Sequence, residues 1–104
     1  MLINSTRQVL FIGRLGQNPE LRYTRKQEAV CRLSVAVPIE GSEKAIWHKV
    51  IVWGKQAELC QVFLVKGAQL FVHGQRTSRE HQLDSGEIKR FEEITADKIG
   101  FINF

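Results

Sequence analysis

The sequence of 104 residues lacks several features that whole classes of proteins require. Its two cysteines, Cys31 and Cys60, lie in apolar stretches without C-x-x-C spacing, which favours buried, reduced thiols over a disulfide or a metal pair. No run approaches the roughly 18 apolar residues that a membrane helix needs. The segment from Met1 to Gln8 is too short and too polar for a secretory signal. We therefore expect one cytoplasmic domain over residues 1–104.

Motifs of catalytic and cofactor sites are also missing. The three histidines, His48, His73 and His81, show no zinc-ligand spacing. The segment from Gly13 to Gly16 matches neither a P-loop nor a dinucleotide fingerprint, and no serine lies in a G-x-S-x-G motif. We expect no enzymatic activity, no metal and no cofactor. His48 is expected to be a structural histidine at a packed or subunit-facing position.

The composition is that of a folded domain with a mild excess of positive charge. Hydrophobic residues make up 43% of the chain and charged residues 25%. Fifteen Lys and Arg against eleven Asp and Glu give a net charge of +4. This balance permits a nucleic-acid partner without indicating one, because many basic proteins bind no polyanion.

Alternating apolar patterns predict strands with one helix among them. The predicted strands are Val9–Ile12, a short piece around Leu21 and Tyr23, Ala29–Val37, Ala45–Trp53, Leu70–Thr77 and Phe91–Ile102. Apolar residues from Ala57 to Leu64 fall at helical spacing, with Val62 and Phe63 among them, and Lys66-Gly67 follows as a stop. Gly13 and Gly16 favour a bend. Asp84-Ser85-Gly86 predicts a hairpin turn.

Three main strands, a helix and two more strands are the element order of an OB fold. This is an all-β, five-stranded Greek-key barrel with one short helix between strands 3 and 4. Other small barrels with a helix share much of this order. The first strand, Val9–Ile12, carries large apolar side chains towards both faces, more than one barrel interior can use. It is a candidate for packing against another subunit.

The third main strand, Ala45–Trp53, carries the strongest functional signal. Because side chains alternate along a strand, Trp47, Lys49, Ile51 and Trp53 share one face, and Ile46, His48, Val50 and Val52 share the other. The second set suits the barrel interior. The first set contains a lysine, which is rarely buried without a partner, so this face is expected to look outward.

Two exposed tryptophans on one strand are typical of a surface that stacks nucleobases. Trp47 and Trp53 are about 20 Å apart along the strand, a span of roughly three extended nucleotides. Each stacked base contributes about 1–3 kcal/mol whatever its sequence, and Lys49 lies between them to meet a phosphate. The alternative is that both indoles fill the core or a subunit contact.

Three sequence blocks resemble bacterial single-stranded-DNA-binding proteins. They are VLFIGRLGQNPELRY from Val9, WHKVIVWGKQAE from Trp47 and KGAQLFVHGQ from Lys66. The blocks come in the order and spacing of that family, and the similarity extends from about Arg7 to Ile102. The resemblance implies an OB barrel that assembles as a homotetramer, with a dimer as the second choice. It also implies binding of single-stranded DNA without sequence specificity during replication, recombination or repair, in the bacterial cytoplasm near the nucleoid.

The resemblance also assigns roles to individual residues. Trp47 and Trp53 match stacking aromatics of the family, and Lys49, Lys55 and Lys66 match basic positions along the DNA path. Arg14, Arg22 and Arg76 are further candidates for phosphate contacts, with a solvated surface role as the equal alternative. Two family aromatics are replaced, by Gly41 in the loop after the second main strand and by His81 on the last hairpin. His81 is a candidate for partial stacking or a solvated loop residue.

The resemblance departs from the family at the C-terminus. Family members usually continue into a flexible tail with an acidic tip that recruits replication and repair enzymes, whereas this sequence ends at Phe104. We expect a variant without that tail and without tail-mediated recruitment. Two alternative functions stay open. One is a primosomal replication protein, a dimeric OB relative that acts as a loading adaptor, and the other is an OB protein-interaction module without strong DNA affinity.

Overall fold

The computed structural model of the protein describes residues 7–102. In this range the chain forms β1 (Gln8–Leu15), β2 (Glu20–Tyr23), β3 (Ala29–Pro38), β4 (Ala45–Trp53), α1 (Lys55–Phe63), β5 (Gln69–Gln82) and β6 (Ile88–Phe101). Each of these elements contains a segment predicted from the sequence. The bounds of β3 and β4 agree with their predicted bounds to within one residue.

The strands close into a barrel. They are hydrogen-bonded in the order β1-β5-β6-β4-β3, and β3 returns to β1 through the pairs Arg14–Ala36 and Leu15–Val35. The β4–β6 pairing is parallel and the other pairings are antiparallel. The short β2 pairs with β3 beside this ring. Five strands therefore form the barrel, and α1 lies between the third and fourth of them, so the predicted OB fold is confirmed.

Closure of the barrel depends on a glycine in β1. A Cβ atom on Gly13 would lie 2.6 Å from the carbonyl oxygen of Ala36 and 2.7 Å from the side chain of Val35. Real Cβ contacts essentially never fall under 3.0 Å. The backbones of β1 and β3 can therefore approach this closely only where β1 has no side chain, which explains the bend predicted there.

The barrel interior is apolar. All five barrel strands and α1 contribute buried side chains: Leu15, Ala29, Cys31, Leu33, Val35, Val50, Val52, Ala57, Cys60, Leu64, Leu70, Val72, Ile94 and Ala96. Both cysteines are fully buried and free, as predicted. Burial raises the pKa of both thiols, to about 12 for Cys60. Both are therefore protonated, unreactive core residues at neutral pH.

Helix α1 packs on the barrel through a narrow stripe. Ala57, Cys60 and the following Leu64 are buried, and they lie on one side of the helix. Val62 and Phe63, which share the helical spacing of that segment, are instead exposed. Val62 is on the opposite side of the helix from the buried stripe, and Phe63 lies at its edge, beside Phe101 of β6. Helical spacing alone therefore does not distinguish the buried from the exposed apolar positions of this segment.

β5 and β6 continue beyond the barrel as a two-stranded extension, residues 77–91, called here the hairpin arm. Cross-strand pairing extends to Gln82–Ile88, well past the predicted strand ends. The predicted turn at Asp84-Ser85-Gly86 is confirmed. Gly86 has a φ of 90°, and its amide donates to the carbonyl of Leu83 at 2.9 Å. The predicted hairpin lies between two polar segments, and the predicted strands stop short of it because side chains exposed on both faces give no alternating pattern.

Candidate nucleic-acid interface

The outer face of β4 carries two exposed indoles. The side chains of Trp47 and Trp53 are 59% and 45% exposed, and Lys49 between them is exposed as well. Val50 and Val52, on the other face of β4, are fully buried. The structure thus places the indoles on the surface, in the predicted alternation, rather than in the barrel core.

The predicted alternation fails at the beginning of β4. Ile46 was expected in the interior but is exposed, because the pairing of β4 with β6 covers only Val50 and Ile51 and leaves the first residues of β4 uncovered on that side. His48 is half-buried and stacks on Phe11, with ring centroids 4.6 Å apart and an interplanar angle of 26°. Burial lowers the pKa of His48. This packing agrees with the structural role expected for His48.

Between the indoles, Ile51 lies on the same face but is only 9% exposed. It pairs with Arg32 of β3 and with Thr95 of β6, and paired residues project from the same side of a sheet. Arg32 therefore lies beside the row of indoles, at its centre. No sequence pattern singles out Arg32. The alternation of β3 places it away from the core, but its neighbours depend on a strand register that no local pattern shows.

The Trp47 indole packs against the loop between β1 and β2. A Cβ atom on Gly16 would overlap carbon atoms of the six-membered ring of this indole. The amide of Gly16 donates to the carbonyl of Ser34 at 2.8 Å, which ties the loop to β3. The loop thus provides a flat backbone surface for Trp47, and the ring is oriented by it.

Three shallow clefts lie side by side along this face, with volumes of about 270, 270 and 330 Å³. Trp47 lines both the first and the second, and the second also contains Arg76. The third contains Trp53, Arg22 and Arg79. Small-molecule pockets are typically roughly 300–1,000 Å³ and enclose most of their ligand. A row of open clefts near the lower end of this range better fits an extended chain that crosses the face.

Two arginines on this face form ion pairs with carboxylates. Arg22 donates to Glu20 on the same strand, and Arg79 Nη2 lies 3.4 Å from Glu93 Oε2. Both guanidinium groups remain largely exposed. The Arg22–Glu20 pair is exposed on both sides and contributes about 0–1 kcal/mol, so a phosphate group can displace Glu20. The Glu93 side chain is only 10% exposed, so the Arg79–Glu93 pair is not an exposed pair of this kind. Arg79, like Arg32, was not selected from the sequence, because nothing distinguishes it among the polar residues of the hairpin arm.

Arg14 and Lys66 lie together at the turn that follows α1. Arg14 Nη1 donates to the carbonyl of Gly67 at 3.1 Å. The amide of Lys66 donates to Asn18 Oδ1 at 2.8 Å, and Asn18 lines the cleft beside Trp47. These two predicted basic residues are therefore connected to the β4 face through the loop between β1 and β2.

Lys55 and His81 are placed differently from the other predicted residues. Lys55 begins α1, two residues after Trp53, and is exposed. His81 lies in the hairpin arm, five residues beyond Arg76 and so about 16 Å further along β5. The barrel does not bring His81 together with the indoles. Gly41 lies in the exposed loop between β3 and β4 with a φ of 77°.

Other classes of site are not evident in the part of the chain that the structure covers. Across residues 7–102, no group of three or more His, Cys, Asp or Glu is arranged to hold a metal ion. In the same range, no helix is long and apolar enough to cross a membrane.

Comparison with known families gives a match over almost the whole chain. The model of the Single-strand binding protein family matches residues 6–102. The matched range contains every barrel strand, α1 and all of the site residues predicted from the sequence.

Proposed function

Because the chain belongs to the single-strand binding protein family, whose members bind single-stranded DNA and are not enzymes, we propose that the outer face of β4 is its DNA-binding surface. The observation that carries this proposal is the pair of exposed indoles, Trp47 and Trp53, on one strand with Lys49 between them. Both indoles lie outside the buried core of the barrel, and their exposed faces fit unstacked bases.

The proposed mechanism combines stacking with phosphate contacts. Each indole accepts the face of a base, and because every base has a π-face the contact is independent of sequence. The phosphates follow the basic residues beside the indoles: Arg22, Arg32, Lys49, Arg76 and Arg79, with Lys55, Arg14 and Lys66 towards the ends of the path. Duplex DNA offers its phosphates but keeps its bases stacked inside, so it fits this surface poorly.

In the cell, the proposed role is to cover single strands that replication, recombination and repair expose, in the bacterial cytoplasm. Family membership and a surface that does not select for sequence support this role. Such a role requires contacts that tolerate any base, and stacking on indoles meets that requirement.

Tryptophan fluorescence tests the proposal. Binding of poly-dT is expected to quench the emission of both indoles, and Trp53→Ala is expected to weaken binding by about 1–3 kcal/mol, the contribution of one stacked base. Trp53 is only half-buried, so the mutant should unfold at nearly the wild-type temperature. Val62→Ala, which shortens another exposed apolar side chain on α1, is the control and should bind like the wild type.

The opposite pattern would contradict the proposal. If Trp53→Ala unfolds the protein while poly-dT leaves the wild-type emission unchanged, the indole is a structural residue. Absence of any oligonucleotide binding by the folded wild type would favour the protein-interaction module.

A further inference from the structure

The end of α1 presents an exposed aromatic surface that the β4 face does not include. Phe63, the last residue of the helix, is 62% exposed, and Phe101 of β6 is 39% exposed. Their ring centroids are 5.6 Å apart with an interplanar angle of 37°. Val65, immediately after the helix, is exposed too. We call Phe63 and Phe101 the aromatic pair.

Positive charge lies beside the aromatic pair. Lys66 follows Val65 in the same turn, and the guanidinium group of Arg14 is hydrogen-bonded to Gly67. Among the ion pairs formed within residues 7–102, none includes Lys66 or Arg14. Lys66 and Arg14 differ in this respect from Arg22 and Arg79, which pair with Glu20 and Glu93. Their charges are available to a phosphate without displacing a carboxylate.

The aromatic pair is also connected to the β4 face. The amide of Lys66 is hydrogen-bonded to Asn18, which lines the cleft beside Trp47. Phe63 is three residues from Lys66, so their Cα atoms are at most about 11 Å apart. A chain that leaves Trp47 past Asn18 reaches Lys66 first and the aromatic pair next.

We propose that Phe63 is a further stacking site for the same single strand of DNA. The strand passes from Trp47 over Asn18, places a phosphate at Lys66 and Arg14, and stacks a base on Phe63. Phe101 supports the Phe63 ring from the barrel side, which keeps its orientation fixed before the base arrives. This inference rests on the proposed function of the β4 face and extends the DNA path around the end of α1.

The occupant is single-stranded DNA because the surface combines an aromatic ring with cations. It also continues the row of indoles and basic residues on the β4 face. Stacking on aromatic rings with backbone contacts to basic groups is how such strands are bound without sequence preference. A second copy of this chain is the other occupant that an apolar patch admits, and the experiment distinguishes the two.

An indole placed at position 63 reports on this site directly. The variant carries Phe63→Trp together with Trp47→Phe and Trp53→Phe, so its only tryptophan lies in the proposed site. An oligo-dT of about 16 nucleotides, the upper end of the site size of one OB fold, should quench this indole. One of about 4 nucleotides, the lower end, should occupy the β4 face and quench it little.

A second variant measures the contribution of the ring. Phe63→Leu keeps an apolar contact with Phe101 but removes the aromatic face. It should weaken binding of the longer oligonucleotide about 10-fold and leave the shorter one unchanged. Val62→Leu, at an exposed neighbouring position on α1, is the matched control and should bind both like the wild type.

The outcomes separate this inference from the proposed function. Suppose that the wild type binds oligo-dT with quenching, that Phe63→Leu binds both lengths like the wild type, and that the indole at position 63 is not quenched. This inference is then wrong, and the proposed function of the β4 face is unaffected. If the wild type binds neither length, the proposed function itself fails. If Phe63→Leu lowers the mass of the DNA-free protein, the aromatic pair is a subunit contact, which overturns the inference.

Discussion

At the residue scale, the two indoles of the β4 face differ in how they are held. Trp47 lies on the backbone of Gly16, whereas Trp53 is the last residue of β4 and borders a cleft containing Arg22 and Arg79. A stacking platform works best when its orientation is fixed before the base arrives, because no rotamer entropy is then lost on binding. Gly16 is therefore a positioning residue for Trp47.

Gly16→Val should weaken binding of oligo-dT by about 1–3 kcal/mol, the contribution of one stacked base, because a side chain there displaces the indole. Fluorescence titration measures the affinity, and the fraction of emission quenched should also fall. A double-mutant cycle provides the control. In a Trp47→Ala background, Gly16→Val should weaken oligo-dT binding little further. If it instead weakens binding by the full amount of about 1–3 kcal/mol again, Gly16 acts independently of the indole.

The carboxylates of this face compete with DNA for its arginines. Glu20→Gln releases the guanidinium group of Arg22 and should tighten binding at low salt by up to about 1 kcal/mol, the upper value for an exposed ion pair. Glu43→Gln makes the same change in net charge in the loop between β3 and β4 and serves as the control. Equal tightening by both variants would mean that overall charge, rather than competition for Arg22, sets the affinity.

At the element scale, β4 shows what the sequence can and cannot predict. The alternation of side chains from Trp47 to Trp53 predicted the outward indoles, because a period of two is a local property of an extended chain, although Ile51 on the same face is buried. Ile46 was placed wrongly, since its exposure depends on where the neighbouring β6 stops pairing. Local periodicity carries no information on the extent of a partner strand.

The same limit explains the basic residues that the sequence analysis missed. Arg32 joins the interface through the register between β3 and β4, and Arg79 through the length of the hairpin arm. Both depend on pairings between segments that are distant in the sequence. Element order and strand alternation predicted the barrel and the row of Trp47, Lys49 and Trp53. Resemblance to a family added Lys55 and Lys66, and the three-dimensional arrangement added Arg32 and Arg79.

At the scale of the whole molecule, the exposed apolar face of β1 is the surface through which we expect the protein to self-associate. Leu10 and Ile12 on its outer face are exposed, as expected for a strand with apolar side chains on both faces. One barrel offers a path of about 4–16 nucleotides, and joining barrels lets one strand pass between them at high effective concentration. We expect a homotetramer that forms without DNA, with a dimer as the second choice.

Analytical ultracentrifugation of the DNA-free protein tests this expectation. Leu10→Glu places a charge on the proposed contact and should lower the mass, whereas Val62→Glu, on the outer side of α1, should leave it unchanged. If the wild type sediments as a monomer and still binds long poly-dT tightly, tight binding does not require an oligomer and this expectation is wrong.

The central claim is that bases stack on the β4 face while its basic residues hold the phosphates. The most direct measurement is the affinity for oligo-dT and for duplex DNA of the same length, compared over a range of salt concentrations. Single-strand affinity should fall as salt rises, with a log–log slope of about 0.7 per phosphate contacted, and should exceed duplex affinity at every salt concentration. Equal affinity for the two forms at matched salt would contradict the claim, because charge alone would then account for binding.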